Sequence, residues 1–286
     1  MTQKQRILDT FKDGGSYTIK ALKDKLNILE PNIRRILGVG AKKGTFQRVG
    51  KGVYTLKTLN DKQVAWVECG KAEEVLPSLV KDGNKFDMIF LDPAYYTKAL
   101  IGGNRKLVNY KFMYPREFGI SVQSVVNLVR NEDSHIYLML AGCKTGQDDM
   151  KKYSDMMLKH GLKLVEEGYY QKLFKNGKKV TNPQGKVANP ERVLLFTKSG
   201  KARAGEKTTK LEFTYERPSR KGYKTEKAPE LLRDLILNST HKNESVLDCF
   251  AGSGVTGDEA LKLNRKIGLI EISQKTIDNY IKPRIK

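Results

Sequence analysis

Residues 245–257 read Ser-Val-Leu-Asp-Cys-Phe-Ala-Gly-Ser-Gly-Val-Thr-Gly, an apolar strand that runs straight into a glycine-rich turn and then a helix. Gly252, Gly254 and Gly257 spell G-x-G-x-x-G, which in a strand–turn–helix setting lets backbone approach a nucleotide-like ligand in an open α/β sheet. Glu271 closes the next apolar run, at the spacing where an acid can bind ribose hydroxyls. The alternative is a tight turn with no ligand. A nicotinamide site would also suit the pattern, but only 15 residues follow Glu271. The rest of the sheet must therefore come from earlier in the chain, an order unusual for a dehydrogenase.

The text from residue 62 onward supplies those strands. Apolar runs at 64–68, 86–91, 135–141 and 162–166 alternate with helical spacing at 72–80, 118–130 and 148–160, which predicts a doubly wound, mostly parallel α/β sheet. The rhythm breaks at 169–174 and 192–197, two β-like runs separated by an Asn, Gly, Pro and Lys-rich loop that read as a long hairpin. Residues 198–227 read as basic and loop-rich. Helices at 230–237, 256–263 and 275–281 and strands at 245–250 and 266–271 then resume the pattern.

Residues 1–57 form a separate small module in this reading. Ile7, Leu8 and Phe11 mark one helix, Ile19, Leu22 and Leu26 a second capped by Ser16 or Thr18, and a third starts at Pro31 with Ile33, Ile36 and Leu37 on one side. Runs at 45–49 and 53–56, joined by Gly50-Lys51-Gly52, predict a hairpin. Three helices and a basic hairpin resemble a winged helix-turn-helix. That resemblance implies DNA contacts from Asn32, Arg34 and Arg35 on the third helix and from Lys42, Lys43, Arg48 and Lys51 around the wing; a protein-docking module is the alternative.

Charge supports a polyanionic partner. The chain carries a formal +21, of which +9 lies in residues 1–60 and +11 in residues 171–228, leaving a nearly neutral body. Two basic blocks suit two contacts on one phosphate backbone, although solvated lysine-rich faces would give the same composition. The three cysteines, Cys69, Cys143 and Cys249, are far apart and never in a C-x-x-C pair, so neither a disulfide framework nor a zinc site is expected. The N-terminus lacks the apolar core of an export signal, and no apolar run is long enough to span a bilayer. A cytoplasmic protein with no membrane partner is expected, and either monomer or homodimer remains open.

A second motif, Asp92-Pro93-Ala94-Tyr95, directly follows the apolar run Met88-Ile-Phe-Leu91. Together with the glycine turn it resembles the S-adenosylmethionine-dependent amino-methyltransferases of DNA, in which a D/N/S-P-P-Y/F/W motif receives a flipped base and an F-x-G-x-G motif holds the cofactor. The order here, DPAY first and FAGSG last, is similar to the circularly permuted β group. The resemblance covers most of residues 62–286. It implies a class I methyltransferase fold and a target-recognition role for 171–228. It makes Asp92, Pro93, Ala94 and Tyr95 catalytic. Asp248, Phe250, Ala251, Gly252, Ser253, Gly254 and Glu271 would bind the cofactor. Glu68-Cys69-Gly70 would lie near its adenine, with Cys69 in contact, and Thr225-Glu-Lys-Ala-Pro229 looks like the T-x-K-P segment that puts Lys227 near its carboxylate. Ala94 and Ala228 depart from the family pattern, the first where a second proline stiffens the turn.

The chemistry suits these residue types. An exocyclic amine on a base is a poor nucleophile because its lone pair is delocalised into the ring, so the site must accept hydrogen bonds from its hydrogens. The Asp92 carboxylate and the Pro93 carbonyl are such acceptors, and Tyr95, with Tyr96, can stack on an extruded base. A sulfonium already carries a good leaving group, so no metal or protein nucleophile is needed. C5-methylation of cytosine would need a cysteine after a proline, and none of the three is so placed. Lys98, Arg105, Lys106, Tyr110, Lys111, Phe112, Met113 and Tyr114 crowd the loop after DPAY, which is expected to order over DNA. The resulting expectation is an adenine-N6 methyltransferase acting on double-stranded DNA, with a cytosine-N4 enzyme, a catalytically degenerate DNA-binding regulator and an RNA methyltransferase as rivals.

Overall fold

The computed structural model describes residues 2–10, 16–42, 46–50, 53–56, 65–94, 113–142, 147–181, 185–218, 223 and 225–285. They fall into two compact units, Met1–Gln63 and Val64–Lys286. In the first, helices α1 (Gln3–Thr10), α2 (Ile19–Leu26) and α3 (Glu30–Lys42) enclose Ile7, Ile19, Leu22, Ile28, Ile33, Ile36 and Leu37. Thr18 caps α2, its hydroxyl accepting the Ala21 N–H at 3.0 Å, and Asn27 ends it in the left-handed region. Ser16 instead opens a short strand, β1 (Ser16–Thr18), which pairs antiparallel with β3 (Val53–Leu56). Strand β2 (Phe46–Gly50) completes the three-stranded sheet in the order β1-β3-β2, with a bulge between Arg48 and Gly50.

The second unit is built on eight strands: β4 (Ala65–Cys69), β5 (Met88–Leu91), β6 (His135–Leu140), β7 (Lys163–Leu173), β8 (Glu191–Thr197), β9 (Glu212–Glu216), β10 (Ser245–Asp248) and β11 (Lys266–Glu271). Their order in the sheet is β4-β11-β10-β5-β6-β8-β7-β9. The run from β4 to β6 is parallel, and β8 is antiparallel to both its neighbours. Every residue of β5, β6 and β10 is buried, as expected for parallel strands covered on both faces. Helices α4 (Ala72–Lys81), α5 (Pro115–Leu128) and α6 (Gln147–Lys159) contribute Leu76, Phe118, Val122 and Tyr153 to one core cluster. Helices α7 (Pro229–Ser239) and α8 (Val255–Lys262) contribute Leu231, Leu235 and Ala260 to the other.

Three expectations change. The runs at 162–166 and 169–174 are one eleven-residue strand, β7, carried through a bulge between Leu164 and Glu166 that resets the pairing with β8. The stretch 198–227 is not all loop: Glu212–Glu216 pairs parallel with the end of β7 and forms the sheet edge. The expected final helix is Gln274–Thr276 followed by a π-turn at Ile277–Ile281 and a last turn at Lys282–Arg284.

Candidate active site

The strand order brings both motifs to one edge. β5 and β10 are parallel neighbours, with Phe90 opposite Asp248, so Asp92 and the glycine turn leave adjacent strands at their carboxyl ends. The Cys249 N–H donates to the Phe90 carbonyl at 3.2 Å and extends the pairing into the loop. This is the crevice where open α/β sheets bind ligands.

The glycine turn is held from beneath and from the side. Asp248, 2 % exposed, accepts the Phe250 N–H at 2.9 Å through Oδ1, and burial raises its pKa to about 7. Gly252 and Gly254 have φ of +51° and +78°, conformations that side chains other than glycine resist, and Gly254 is the residue from which α8 starts. Glu271 is buried, and its Oε2 and Oε1 accept the Gly252 and Ser273 N–H groups at 3.0 and 2.9 Å. Burial pushes its carboxyl above the ordinary range. The Ile272 N–H bonds it as well, and since a carboxylate offers about four lone-pair positions, Glu271 keeps capacity for a hydroxyl donor. Cys69 lies opposite Glu271 in the β4–β11 register, and the Gly70 N–H donates to the Glu271 carbonyl at 3.0 Å. Cys69, Glu271 and the glycine turn thus stand at the carboxyl ends of the neighbouring strands β4, β11 and β10, and a buried carboxylate beside a glycine-rich backbone turn fits an adenosyl group.

Asp92 is held from the opposite side. The Lys227 ammonium lies 2.8 Å from Asp92 Oδ2 and 3.1 Å from Glu191 Oε2, and Lys172 Nζ lies 2.5 Å from Glu191 Oε1. The two carboxylates outweigh the desolvation of Lys227 and raise its pKa, while the two ammonium groups hold the Glu191 carboxyl below its ordinary value despite burial. Lys227, expected beside the carboxylate of the cofactor, has its ammonium taken up by two carboxylates of the protein. The Ala94 carbonyl accepts the Met113 N–H at 2.9 Å, and the Met113 carbonyl accepts the Tyr153 hydroxyl at 2.6 Å. These bonds brace the turn where the expected second proline is replaced by Ala94.

Glu191 and Lys172 were not legible as site residues. The signal was there in part, because Glu191 is one of five acids in the basic block 171–228. Tyr223 and Arg284 were missed as well. A Cβ on Gly252 would lie 3.2 Å from the Tyr223 ring, and Arg284 bonds Glu226 at 2.9 Å and Ser253 at 3.4 Å, so the segment before Lys227 is tied to the glycine turn. A cavity of about 300 Å³ opens beside Glu191, lined by Gln171, Lys172, Asn189, Arg217 and Tyr223 among others. Tyr95, Tyr96 and the basic aromatic loop up to Phe112 lie outside the described residues.

In the N-terminal unit, Arg34 and Arg35 are exposed on α3, and Asn32 is half-buried. Arg34 pairs with Glu30 at 2.5 Å, one helical turn earlier. Lys43 and Lys51 lie outside the described residues, as do the side chains of Lys42 and Arg48. Among the described residues no cluster of His, Cys, Asp and Glu could hold a metal ion, and no helix is long and apolar enough to cross a membrane.

This doubly wound sheet, with a glycine turn on β10 and an Asp-Pro turn on β5, is that of a class I methyltransferase, and solved structures share it. M1.HpyAVI, solved as a complex with SAM, is 18% identical over 78% of this chain and 100% of its own, with a TM-score of 0.57. TTHA0409 of Thermus thermophilus, complexed with S-adenosyl-L-methionine, is 15% identical over 77% of this chain and 93% of its own, with a TM-score of 0.52. The cytosine-N4-specific PvuII DNA methyltransferase is 15% identical over 74% and 83%, with a TM-score of 0.55. The family model for N6/N4-type DNA methylases matches residues 44–282, and the chain belongs to that family, whose members depend on S-adenosylmethionine. No curated protein sequence matches it.

Proposed function

We propose that the chain transfers a methyl group from S-adenosylmethionine to the exocyclic N6 amine of an adenine extruded from duplex DNA. The observation that carries this reading is the placement of Asp92 and the Gly252–Gly254 turn on adjacent strand ends, β5 and β10. When bound, the cofactor supplies an electrophilic methyl on a sulfonium. In this reading Glu271 meets its ribose hydroxyls, and Cys69 and Phe250 border its adenine and methionine ends. Asp92 and the Pro93 carbonyl accept hydrogen bonds from the target amine and favour pyramidal nitrogen. As the N–C bond forms and the S–C bond breaks, the nitrogen gains positive charge that the adjacent carboxylate stabilises, and the surplus proton leaves through Asp92 to water.

The resemblance associates Asp at position 92 with adenine rather than cytosine. Residues 171–228, which hold a net +11, would recognise the target, and the N-terminal unit would act as a winged helix that adds phosphate contacts through Arg34 and Arg35. Nucleoside mass spectrometry of mixed-sequence DNA, after incubation with the protein and S-adenosylmethionine, tests the reading. N6-methyldeoxyadenosine supports it, N4-methyldeoxycytidine replaces the base, and no methylated product on DNA overturns it.

A further inference from the structure

Three charged side chains, from β7, β8 and the segment before α7, meet behind Asp92. Lys227 stands between Asp92 at 2.8 Å and Glu191 at 3.1 Å, and Lys172 closes on the far oxygen of Glu191 at 2.5 Å. The line runs Asp92, Lys227, Glu191, Lys172, alternating in sign and neutral in sum. Lys227 and Glu191 are only 11% and 18% exposed at the side chain, so their interactions are little screened by water.

We propose that Glu191 is a positioning residue for methyl transfer, sharing the Lys227 ammonium with Asp92 so that the Asp92 carboxylate stays available to accept from the target amine. This inference rests on Asp92 being that acceptor. An ammonium bonded to a carboxylate stabilises its charge and weakens it as an acceptor for anything else. Glu191 draws part of Lys227 away, and Lys172 limits how far, by neutralising Glu191 from behind. Strength at Asp92 is thereby set by a residue that touches neither base nor cofactor.

The other groups facing this line do not replace Glu191. Tyr170 on β7 lies close to Glu191 and under the Lys172 ammonium, with its hydroxyl held neutral by burial. Asp248 on β10 faces Asp92 from the side of the glycine turn, a carboxyl whose place does not depend on Glu191. Arg192, next in sequence, is paired with Glu167.

The two ends of the line give opposite signs. In Glu191→Gln, Lys227 falls wholly to Asp92. The acid limb of the single-turnover rate then moves down by about one pH unit, and the plateau rate drops by up to about tenfold. In Lys172→Met, Glu191 competes harder for Lys227, and the acid limb moves up. Calorimetry with S-adenosylmethionine should give similar affinities for both variants and the parent. A residue that merely packs β8 would move neither limb, or both in one direction, and either result overturns the proposal. Lys172 is partly exposed, so its variant carries the test if Glu191→Gln does not fold. Parent protein that methylates no DNA would instead overturn the reading of Asp92, and the proposal with it.

Discussion

Lys227 Nζ lies 2.8 Å from Asp92 Oδ2 although 135 residues separate the two in sequence. The contact joins the Asp-Pro turn to the segment that leads into α7, and both partners are largely withdrawn from water. Removing one member of such a pair leaves the other charge buried and costs about 3–5 kcal/mol. Lys227→Met is expected to lower the melting temperature measurably. It should also move the acid limb of the methylation rate upward, because the site would lose the cation beside its carboxylates. A variant with unchanged stability and pH profile would show that the pair has no energetic weight.

The glycine turn is expected to fail with little loss of fold. Gly252 has φ of +51°, where a β-branched side chain is strained by about 1–3 kcal/mol, and a Cβ there would press on the Tyr223 ring at 3.2 Å. Gly252→Val should therefore weaken S-adenosylmethionine binding by at least about tenfold, measured by calorimetry, while circular dichroism stays that of the parent. Parent-like affinity would remove the turn from the cofactor site.

His135 gives the fold a separate pH dependence. It is buried at the start of β6, its Nδ1 within 2.9 Å of Ser239 Oγ, and desolvation lowers its pKa to about 4. The unfolded chain binds that proton near pH 6.5 and the folded chain does not, so stability falls as pH drops from about 6.5 to 4, by about 3 kcal/mol in all. Denaturant unfolding of the parent and His135→Gln should show a stability gap at pH 7 that narrows at pH 4.5. A gap that widens on acidification would contradict the assignment.

Arg34 and Arg35 stand exposed on α3 while Ile33, Ile36 and Leu37 fill the core behind them. If they meet phosphates, replacing both with alanine should weaken binding of unrelated duplexes about equally. It should also reduce the slope of log K against log salt by about 2. An unchanged slope would make the N-terminal unit a docking module.

The strand–turn–helix text at 245–257 and the apolar run before Asp92 were legible as two strand ends, because each is a local pattern enforced by burial on two faces. The hydrophobic period also located α7 and β11 closely. The course of β7 was not legible, since a bulge interrupts the alternation that would have marked one long strand. Strand β9 escaped notice because an edge strand such as Glu212–Glu216 buries little and reads as polar. Glu191 and Lys172 were hidden for a different reason: their meaning lies in contact with Lys227, and no spacing in the sequence announces a contact between separate elements.

In the proposed reaction Asp92 acts on the target amine at a site where the glycine turn holds the methyl donor. Its most direct test is a single-turnover reaction of the parent and Asp92→Asn with trideuteromethyl S-adenosylmethionine and duplex DNA, read by nucleoside mass spectrometry, with calorimetry of donor binding on the same samples. The parent should yield trideuteromethylated N6-deoxyadenosine. Asp92→Asn should bind the donor with similar affinity yet transfer at least about a hundredfold more slowly. Transfer by Asp92→Asn at the parent rate would show that Asp92 has no part in the reaction.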